Sequence, residues 1–212
     1  MIGFNSDMAT PRKPRQERSK ATVAAIIDAA FRCVAQQGVA NTTARRIAET
    51  AGISIGSFYE YFANKEAVFE AMSRRLTDDS VDLLRGMAPR LMDKDIRAAI
   101  LFIFQSFSDF LRRDDDRYLK VTQQVMAQDG RGSLETINKA LMELVMQYLM
   151  THPQYMRIRD FPALAYVFVN GGIFLVVRHL SSEKPQISFE QLGQVYADIF
   201  GTYFEQQPAT PP

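Results

Sequence analysis

A chain of 212 residues with 47% hydrophobic and 23% charged residues is long enough to bury a sizeable core, which argues against a disordered polymer. Its formal net charge of +1 conceals an uneven distribution: residues 1–75 hold eleven Lys and Arg against seven Asp and Glu, whereas the remainder holds fourteen against seventeen. A basic first third on a mildly acidic body favours an anionic partner for that third.

Between a flexible basic arm predicted at residues 1–18 and a disordered tail predicted at residues 207–212, apolar residues recur at spacings of three and four, and no alternating strand pattern appears. The chain is therefore predicted to be all-α. A first domain is predicted at residues 19–63, with helices at 19–37, 43–51 and 54–62. The hydroxyl of Thr43 can cap the second helix, and Gly52 is placed to end it.

A second, larger domain is predicted at residues 64–206. Asn64 is a good N-cap for a fourth helix. Long helices rich in Phe, Met, Leu and Tyr are then predicted at 95–113, 117–128, 133–150, 162–180 and 188–205. Ser188 and Gln191 form a capping box at the start of the last helix. This domain is predicted to be a helical bundle with its own core, joined to the first domain through the fourth helix.

The second and third helices are separated by a few residues that contain Gly52, which is the arrangement of a helix-turn-helix. In the third helix, Phe58 and Phe62 lie four residues apart and can face the core. Another face would present small polar and aromatic groups to a major groove about 12 Å wide: Ser54, Ile55, Ser57, Tyr59 and Tyr61. Gly56 weakens the helix by about 1 kcal/mol relative to Ala, and a close approach of its backbone to DNA would explain its presence.

The stretch TTARRIAETAGISIGSFYEYFANKEAVFEAM resembles the DNA-binding domain of TetR-family transcriptional regulators. The resemblance rests on Thr43, the IAETAGIS core, Gly56, the aromatic run at 58–62 and the helix start at 64–66. It covers about residues 18–72. The rest of the chain is similar to the family in length, helical content and an apolar pair of C-terminal helices.

The resemblance implies that this chain binds DNA through Thr43, Arg45, Ser54, Gly56, Ser57, Tyr59, Tyr61 and Lys65. Phosphates would be contacted by Thr43, Ser54, Tyr59 and Lys65, and bases or nearby backbone by the others. Ile55 stands where many members have a polar or basic residue, and Tyr61 where histidine is common, so no base preference is inferred there. Further phosphate or minor-groove contacts, or mere solubility, would come from Arg12, Lys13, Arg15, Arg18 and Lys20.

A helix-turn-helix protein reads two half-sites about 34–36 Å apart, which predicts a palindromic operator in double-stranded DNA and a twofold homodimer. The predicted interface is the last two helices, because 161–177 is apolar all round and the final helix is striped with Leu192, Val195, Tyr196, Ile199 and Phe200. Gly171 and Gly172 would allow the helices to approach closely. The alternative, that this pair is ordinary monomer core, stays open.

The remaining helices of the body carry enough aromatic and Met side chains to line a pocket for a hydrophobic small molecule, although such stripes are more often plain core. The candidate ligand-binding residues are Phe102, Gln105, Phe107, Met126, Tyr148, Asn170 and Phe174. The resemblance implies a repressor whose ligand shifts the fourth helix. That shift would change the separation of the recognition helices and hence the affinity for the operator.

Enzymatic and membrane functions find little support in the sequence. Two histidines, one cysteine, no Gly-rich phosphate loop and no cluster at metal-ligand spacing predict neither catalysis, nor a metal, nor a cofactor. The polar start predicts no signal peptide, and 161–177 is short for a membrane span, so a cytoplasmic protein is expected. Cys33 is predicted to be a buried structural thiol. The alternative function is a structural DNA-binding protein that responds to no ligand.

Overall fold

The computed structural model describes residues 14–125, 131–158, 160–182 and 184–206, which fold into helices without a strand. The helices run, in chain order, over Pro14–Asn41 (α1), Ala44–Ala51 (α2), Ile55–Tyr61 (α3), Lys65–Leu91 (α4), Ile96–Leu111 (α5), Arg113–Val125 (α6), Arg131–Thr151 (α7), Pro153–Met156 (α8), Phe161–Leu180 (α9) and Phe189–Gln206 (α10). The all-α prediction, with a small N-terminal domain and a larger helical body, is confirmed.

The differences from the sequence-based prediction include two earlier helix starts and one short helix that was not predicted. Helix α1 begins at Pro14 rather than at residue 19, because proline is well suited to the first helical position and Glu17 complements the helix dipole in the first turn. Helix α6 begins at Arg113 rather than at residue 117, since its polar first turn has no apolar periodicity to reveal it. The one-turn helix α8 is too short to produce a periodic signal.

Helices α1 to α3 pack with the first half of α4 into a head. Its centre consists of side chains that are at most 1% exposed, among them Ile26, Phe31, Ile47, Phe58 and Val68. The buried Cys33 lies in the same core, with its Sγ 3.3 Å from the Oγ1 of Thr50 across the α1–α2 contact. The thiol is therefore a small packing group between two helices.

The head is joined to the body through α6 as well as through α4, which the sequence-based interpretation missed. Tyr118 on α6 packs its ring 5.1 Å from that of Phe31 in α1, and 5.1 Å from that of Phe110 at the end of α5. The guanidinium of Arg117 lies over the Phe31 ring at 5.7 Å. The buried core thus runs from the head into the body, because these long aromatic side chains reach across the boundary.

The body is a bundle in which α5 and α10 lie in close contact, with α7 packed along α4. A Cβ at Gly193 of α10 would lie 2.9 Å from the Cβ of Phe104 in α5, so glycine is required for this approach. Arg97 of α5 pairs with Asp198 of α10, and its guanidinium also donates to the Oγ1 of Thr202 at 3.1 Å. These contacts hold the last helix against the body.

Within the described ranges, two helices are long and apolar enough to cross a membrane by length and composition alone: Gln16–Asn41 and Phe161–Leu180. The first supplies the central side chains of the head core. In the second, only 11% of the most apolar window is buried within the chain. Helix α9 therefore presents apolar side chains that the monomer itself leaves uncovered.

Candidate nucleic-acid interface and internal cavity

Capping side chains define the turn between α2 and α3. The Oγ1 of Thr43 accepts from the backbone N–H of Arg46 at 3.2 Å, and the Oγ of Ser54 accepts from that of Ser57 at 3.0 Å. Between them, Gly52 adopts φ 72°, a left-handed conformation that favours glycine, and ends α2. Two short helices are thereby fixed at a sharp turn.

Helix α3 has one buried and one exposed face. Phe58 is fully buried, with its ring 6.1 Å from that of Phe62, while Tyr59 is 56% exposed and Ile55 43% exposed. Tyr61, predicted to lie on the exposed face, is half-buried and packs against the head core. It follows Phe58 by three residues, so the helical period turns it toward the same side.

Two neighbouring cations at the start of α2 share one carboxylate. The Nε of Arg45 lies 3.0 Å from Glu49, and the guanidinium of Arg46 lies 4.0 Å from the same residue. The Arg45 side chain is 84% exposed, so this contact is a surface ion pair that contributes at most about 1 kcal/mol. A phosphate can therefore readily replace Glu49 as the partner of these arginines.

The side chain of Lys65 secures the start of α4. Its Nζ donates to the backbone carbonyl of Thr42 at 3.2 Å, which ties α4 to the segment before α2. An ammonium group has three protons, so this bond leaves donors for a second acceptor. Lys65 and Thr43 therefore lie beside each other at two helix starts, where unpaired backbone N–H groups also favour an anion.

Gly56 occupies the first turn of α3 although the fold does not need a glycine there. A Cβ at this position would meet only the Oγ of Ser54, at 3.7 Å, which is an ordinary contact. The free protein therefore places no steric requirement for glycine at this position.

An apolar cavity of about 120 Å³ lies inside the body, between α4, α5, α6, α7, α9 and α10. Helix α4 contributes Leu76, Thr77 and Ser80 to its wall, and α6 contributes Thr122. Because α4 also forms part of the head, a molecule in this cavity touches an element that connects the two regions.

The candidate ligand-binding residues are not brought together. Of those that lie in the described part of the chain, only Phe107 lines this cavity. Phe102 lies instead under the cations of Arg90, at 4.6 Å, and Lys94, at 5.2 Å. Tyr148 lines a separate cavity of about 40 Å³.

The polar and exposed candidates also lie elsewhere. Gln105 is exposed and donates to Asp109 at 2.8 Å, and Asn170 accepts from Asn138 at 2.9 Å. Phe174 is 67% exposed, and Met126 falls outside the described residues. Phe174 was predicted to line the pocket because an apolar stripe does not reveal which side of a helix meets a cavity and which meets a partner.

Helices α9 and α10 expose an apolar strip, consisting of Tyr166, Val167, Phe174, Leu175, Val195, Ile199 and Tyr203, each 38–67% exposed. Of the stripe predicted on α10, Val195 and Ile199 belong to this strip, whereas Tyr196 and Phe200 are buried in the body core. Gly172 does permit a close approach, but within the chain: its Cβ would lie 3.1 Å from the Tyr196 hydroxyl.

A hydrogen-bonded group between α4 and α6 went unnoticed in the sequence. The Tyr118 hydroxyl donates to Asp79 at 2.5 Å, and the Nε of Arg75 donates to the same carboxylate at 3.2 Å. Burial, followed by the hydrogen bond to Asp79, raises the pKa of Tyr118 to about 12, so the phenol keeps its proton. Only the spacing of Arg75 and Asp79, one turn apart on α4, could have hinted at this group.

The chain is similar to known bacterial regulators over both of its regions. The family model for bacterial regulatory proteins of the tetR family matches residues 26–72. The transcriptional repressor KstR2 from Mycolicibacterium smegmatis is 33% identical over 205 residues, which cover 90% of this chain and 91% of that protein. The transcriptional regulator BetI 2 from Chromohalobacter salexigens is 35% identical over 95 residues, and that match spans only 42% of its length and 45% of this chain.

Solved structures share the fold at lower sequence identity. A TetR-family transcriptional regulator from Mesorhizobium loti superimposes with a TM-score of 0.68 at 18% identity, over 88% of this chain and 96% of that one. The regulator FadR from Bacillus subtilis, solved in complex with stearoyl-CoA, superimposes with a TM-score of 0.60 at 20% identity, over 84% of this chain and 97% of that one. At these identities the likeness extends to the fold alone.

Proposed function

The chain belongs to the TetR family of bacterial transcriptional regulators. From this premise we propose that it is a dimeric repressor whose affinity for a palindromic operator changes when a small molecule binds in the body. The observation that carries the proposal is the exposed face of α3, bounded by capped helix starts. Relatives named as repressors, KstR2 among them, support repression rather than activation. The proposed domains are a DNA-binding domain at residues 19–63 and a ligand-binding and dimerisation domain at residues 64–206.

In this proposal the head reads DNA with α3 in the major groove. Phosphates are contacted by Thr43, Ser54, Tyr59 and Lys65, and bases or adjacent backbone by Arg45, Ser57 and Tyr61, the last from its exposed edge. The exposure of Tyr59 and Arg45 and the position of Lys65 beside Thr43 support these assignments.

The apolar strip on α9 and α10 is the proposed dimer interface. Tyr166, Phe174 and Ile199 are each at least 59% exposed, which is unfavourable for aromatic and aliphatic side chains in water. A second copy that packs the same strip across a twofold axis covers these side chains with a four-helix contact. The dimer then sets the spacing of the two α3 helices for two half-sites.

Ligand control is proposed to act through α4. A molecule in the cavity changes the placement of α4 if it binds one placement more tightly than another. The head follows, because α1 packs on both α4 and α6. Bacillus subtilis FadR shares this fold and was solved in complex with stearoyl-CoA, which supports control by a small molecule here. It does not identify the ligand of this chain.

Replacing Gly56 with alanine tests the close approach of α3 to DNA. We expect the variant to be more stable by up to about 1 kcal/mol, because alanine favours the helix and its Cβ has room. We also expect its affinity for operator DNA to fall by about tenfold or more, which corresponds to about 1.4 kcal/mol, because that Cβ displaces the phosphate backbone. Thermal melting and fluorescence anisotropy measure the two effects.

Gly86→Ala is the matched control, since Gly86 is also exposed and helical and a Cβ added there would meet nothing within 4 Å, but it lies on α4 away from α3. It is expected to stabilise the protein without changing DNA affinity. Unchanged DNA binding in Gly56→Ala would contradict the proposed approach.

The Tyr118–Asp79 contact is expected to stabilise the junction between head and body. Tyr118→Phe keeps the ring packing against Phe31 but removes the hydroxyl, so we expect unfolding to become easier by about 1–2 kcal/mol and amide exchange in α1 to rise. Because the folded pKa of Tyr118 lies above the unfolded value, the hydroxyl's contribution is present below pH 10 and is lost as pH rises toward about 12. Denaturant titration of both proteins at pH 8 and pH 11 should show their difference shrinking; a constant or absent difference would refute the role.

A further inference from the structure

The cavity in the body is uncharged as well as apolar. None of the described residues that line it carries a charge, and most are aliphatic or aromatic, such as Leu84, Ile103 and Val176. An ionised group placed there would lose its hydration without gaining a counter-ion. The lining therefore selects against charged ligands.

The volume of the cavity limits the size of what it holds. An apolar cavity of about 150 Å³ lined by aliphatic and aromatic side chains admits benzene. The cavity here, about 120 Å³, is of the same order. It matches a single ring.

One polar atom in the wall lacks a partner. Thr122 is only 2% exposed, and among the described residues its Oγ1 has no hydrogen-bond partner. A buried hydroxyl without a partner is unfavourable, and threonine in a helix ordinarily bonds a carbonyl of the preceding turn. The hydroxyl of Thr122 is thus available to a molecule in the cavity.

Three other hydroxyls in the wall have already donated their protons. Thr77 donates to the carbonyl of Ser73 at 2.9 Å, Ser80 donates to that of Leu76 at 2.7 Å, and Tyr196 donates to that of Phe168. Each of these oxygens can still accept a hydrogen bond. The wall therefore offers a free donor on Thr122 and several acceptors.

We infer that the cavity takes a small uncharged ring compound with one hydroxyl group, a phenol or a cyclic alcohol, whose oxygen accepts from the Oγ1 of Thr122. A hydroxyl suits this wall better than a carbonyl, because it also supplies a proton for the acceptor oxygens on α4. The inference rests on the proposed ligand-binding role of the body and specifies the class of ligand.

The position of Thr122 gives such a ligand a route to the head. Thr122 lies one turn after Tyr118 on α6, and Tyr118 contacts both Phe31 in α1 and Asp79 in α4. A ligand bonded to Thr122 and packed against α4 therefore touches both elements that join body and head.

The test compares phenol with toluene, which have nearly the same shape and differ in the hydroxyl group. Dissociation constants of both probes are measured by calorimetry or titration NMR for the full chain, for Thr122→Val and for Thr122→Ser. Valine keeps the shape of threonine without the hydroxyl, and serine keeps the hydroxyl. The quantity of interest is the preference for phenol over toluene within each protein, because this ratio removes general changes in cavity packing.

We expect the preference for phenol to fall at least about tenfold in Thr122→Val and to stay within about threefold of wild type in Thr122→Ser. We also expect the ligand-free Thr122→Val protein to melt about 2–4 °C higher, because an unpaired buried hydroxyl is gone. An unchanged preference with toluene still bound would overturn the inference and leave the ligand-binding role of the cavity standing. Binding of neither probe to wild type would overturn both.

Discussion

Introducing aspartate at both Phe174 and Ile199 is expected to convert the dimer into a monomer and to lower the affinity for a two-half-site duplex by about a hundredfold or more. The two side chains are 67% and 59% exposed in the single chain and lie on α9 and α10, within the apolar strip. In a dimer that covers this strip, each protomer would bury two carboxylates without partners, which is strongly unfavourable. A monomer then binds one half-site and loses the gain in affinity that comes from binding two half-sites at once, typically a factor of 10²–10⁴.

Light scattering measures the mass in solution, and anisotropy measures the affinity. Met150→Asp is the matched control, because Met150 is 75% exposed and apolar but lies on α7, outside the strip. It should leave both quantities unchanged. A double variant that remains dimeric would show that the interface lies elsewhere on the molecule.

Removing Tyr59 and Lys65 together, by replacing both with alanine, is expected to reduce operator affinity by about a hundredfold or more. Each protomer loses two proposed phosphate contacts, so a dimer loses four, each contributing about 0.5–1.5 kcal/mol. The dependence of affinity on salt should also weaken, with a slope lower by about 2, since one lysine per protomer no longer displaces a counter-ion.

Two further variants separate DNA contact from folding. Lys65 bonds the carbonyl of Thr42, so its loss also weakens the start of α4, whereas Tyr59 is 56% exposed and meets the core through an edge contact with the ring of Phe58, at 5.3 Å. Tyr59→Ala alone is therefore expected to melt like the wild type and still bind DNA more weakly. Glu60→Ala, next to it on α3 and also exposed, removes a negative charge and should bind DNA at least as well as wild type. Equal losses in Tyr59→Ala and Glu60→Ala would contradict a specific role for the tyrosine.

Short-range chemistry made the head predictable from sequence. Thr43, Ser54 and Asn64 cap helices whose partners lie three residues away, and Gly52 ends α2 by a backbone conformation that glycine favours. Such signals need no knowledge of the rest of the fold. Tyr61 is the exception: its place depends on which side of α3 meets the core, and the four-residue spacing from Ser57 put it on the exposed face, whereas it is half-buried against the head core.

The helices of the body could be predicted from the sequence, but the residues that line its cavity could not. Periodicity identifies an apolar face, but it does not distinguish a face on a cavity from one on a partner, so Phe174 was assigned to the ligand although it lies on the surface. Thr122 and Tyr118 were overlooked for the opposite reason. Their importance comes from contacts with α4 and α1, which are distant in sequence and arise only when the helices pack.

Selection of duplexes from a random library by the purified protein, at near-physiological salt, tests the central claim most directly. The account predicts enrichment of a palindrome whose half-sites are centred about one helical turn, or a multiple of it, apart, with a preference over unrelated sequence of about a thousandfold or more. The Tyr59→Ala, Lys65→Ala variant should enrich nothing under the same conditions. Tight binding of the wild-type protein to all duplexes alike would contradict a sequence-specific regulator and favour a structural DNA-binding protein instead.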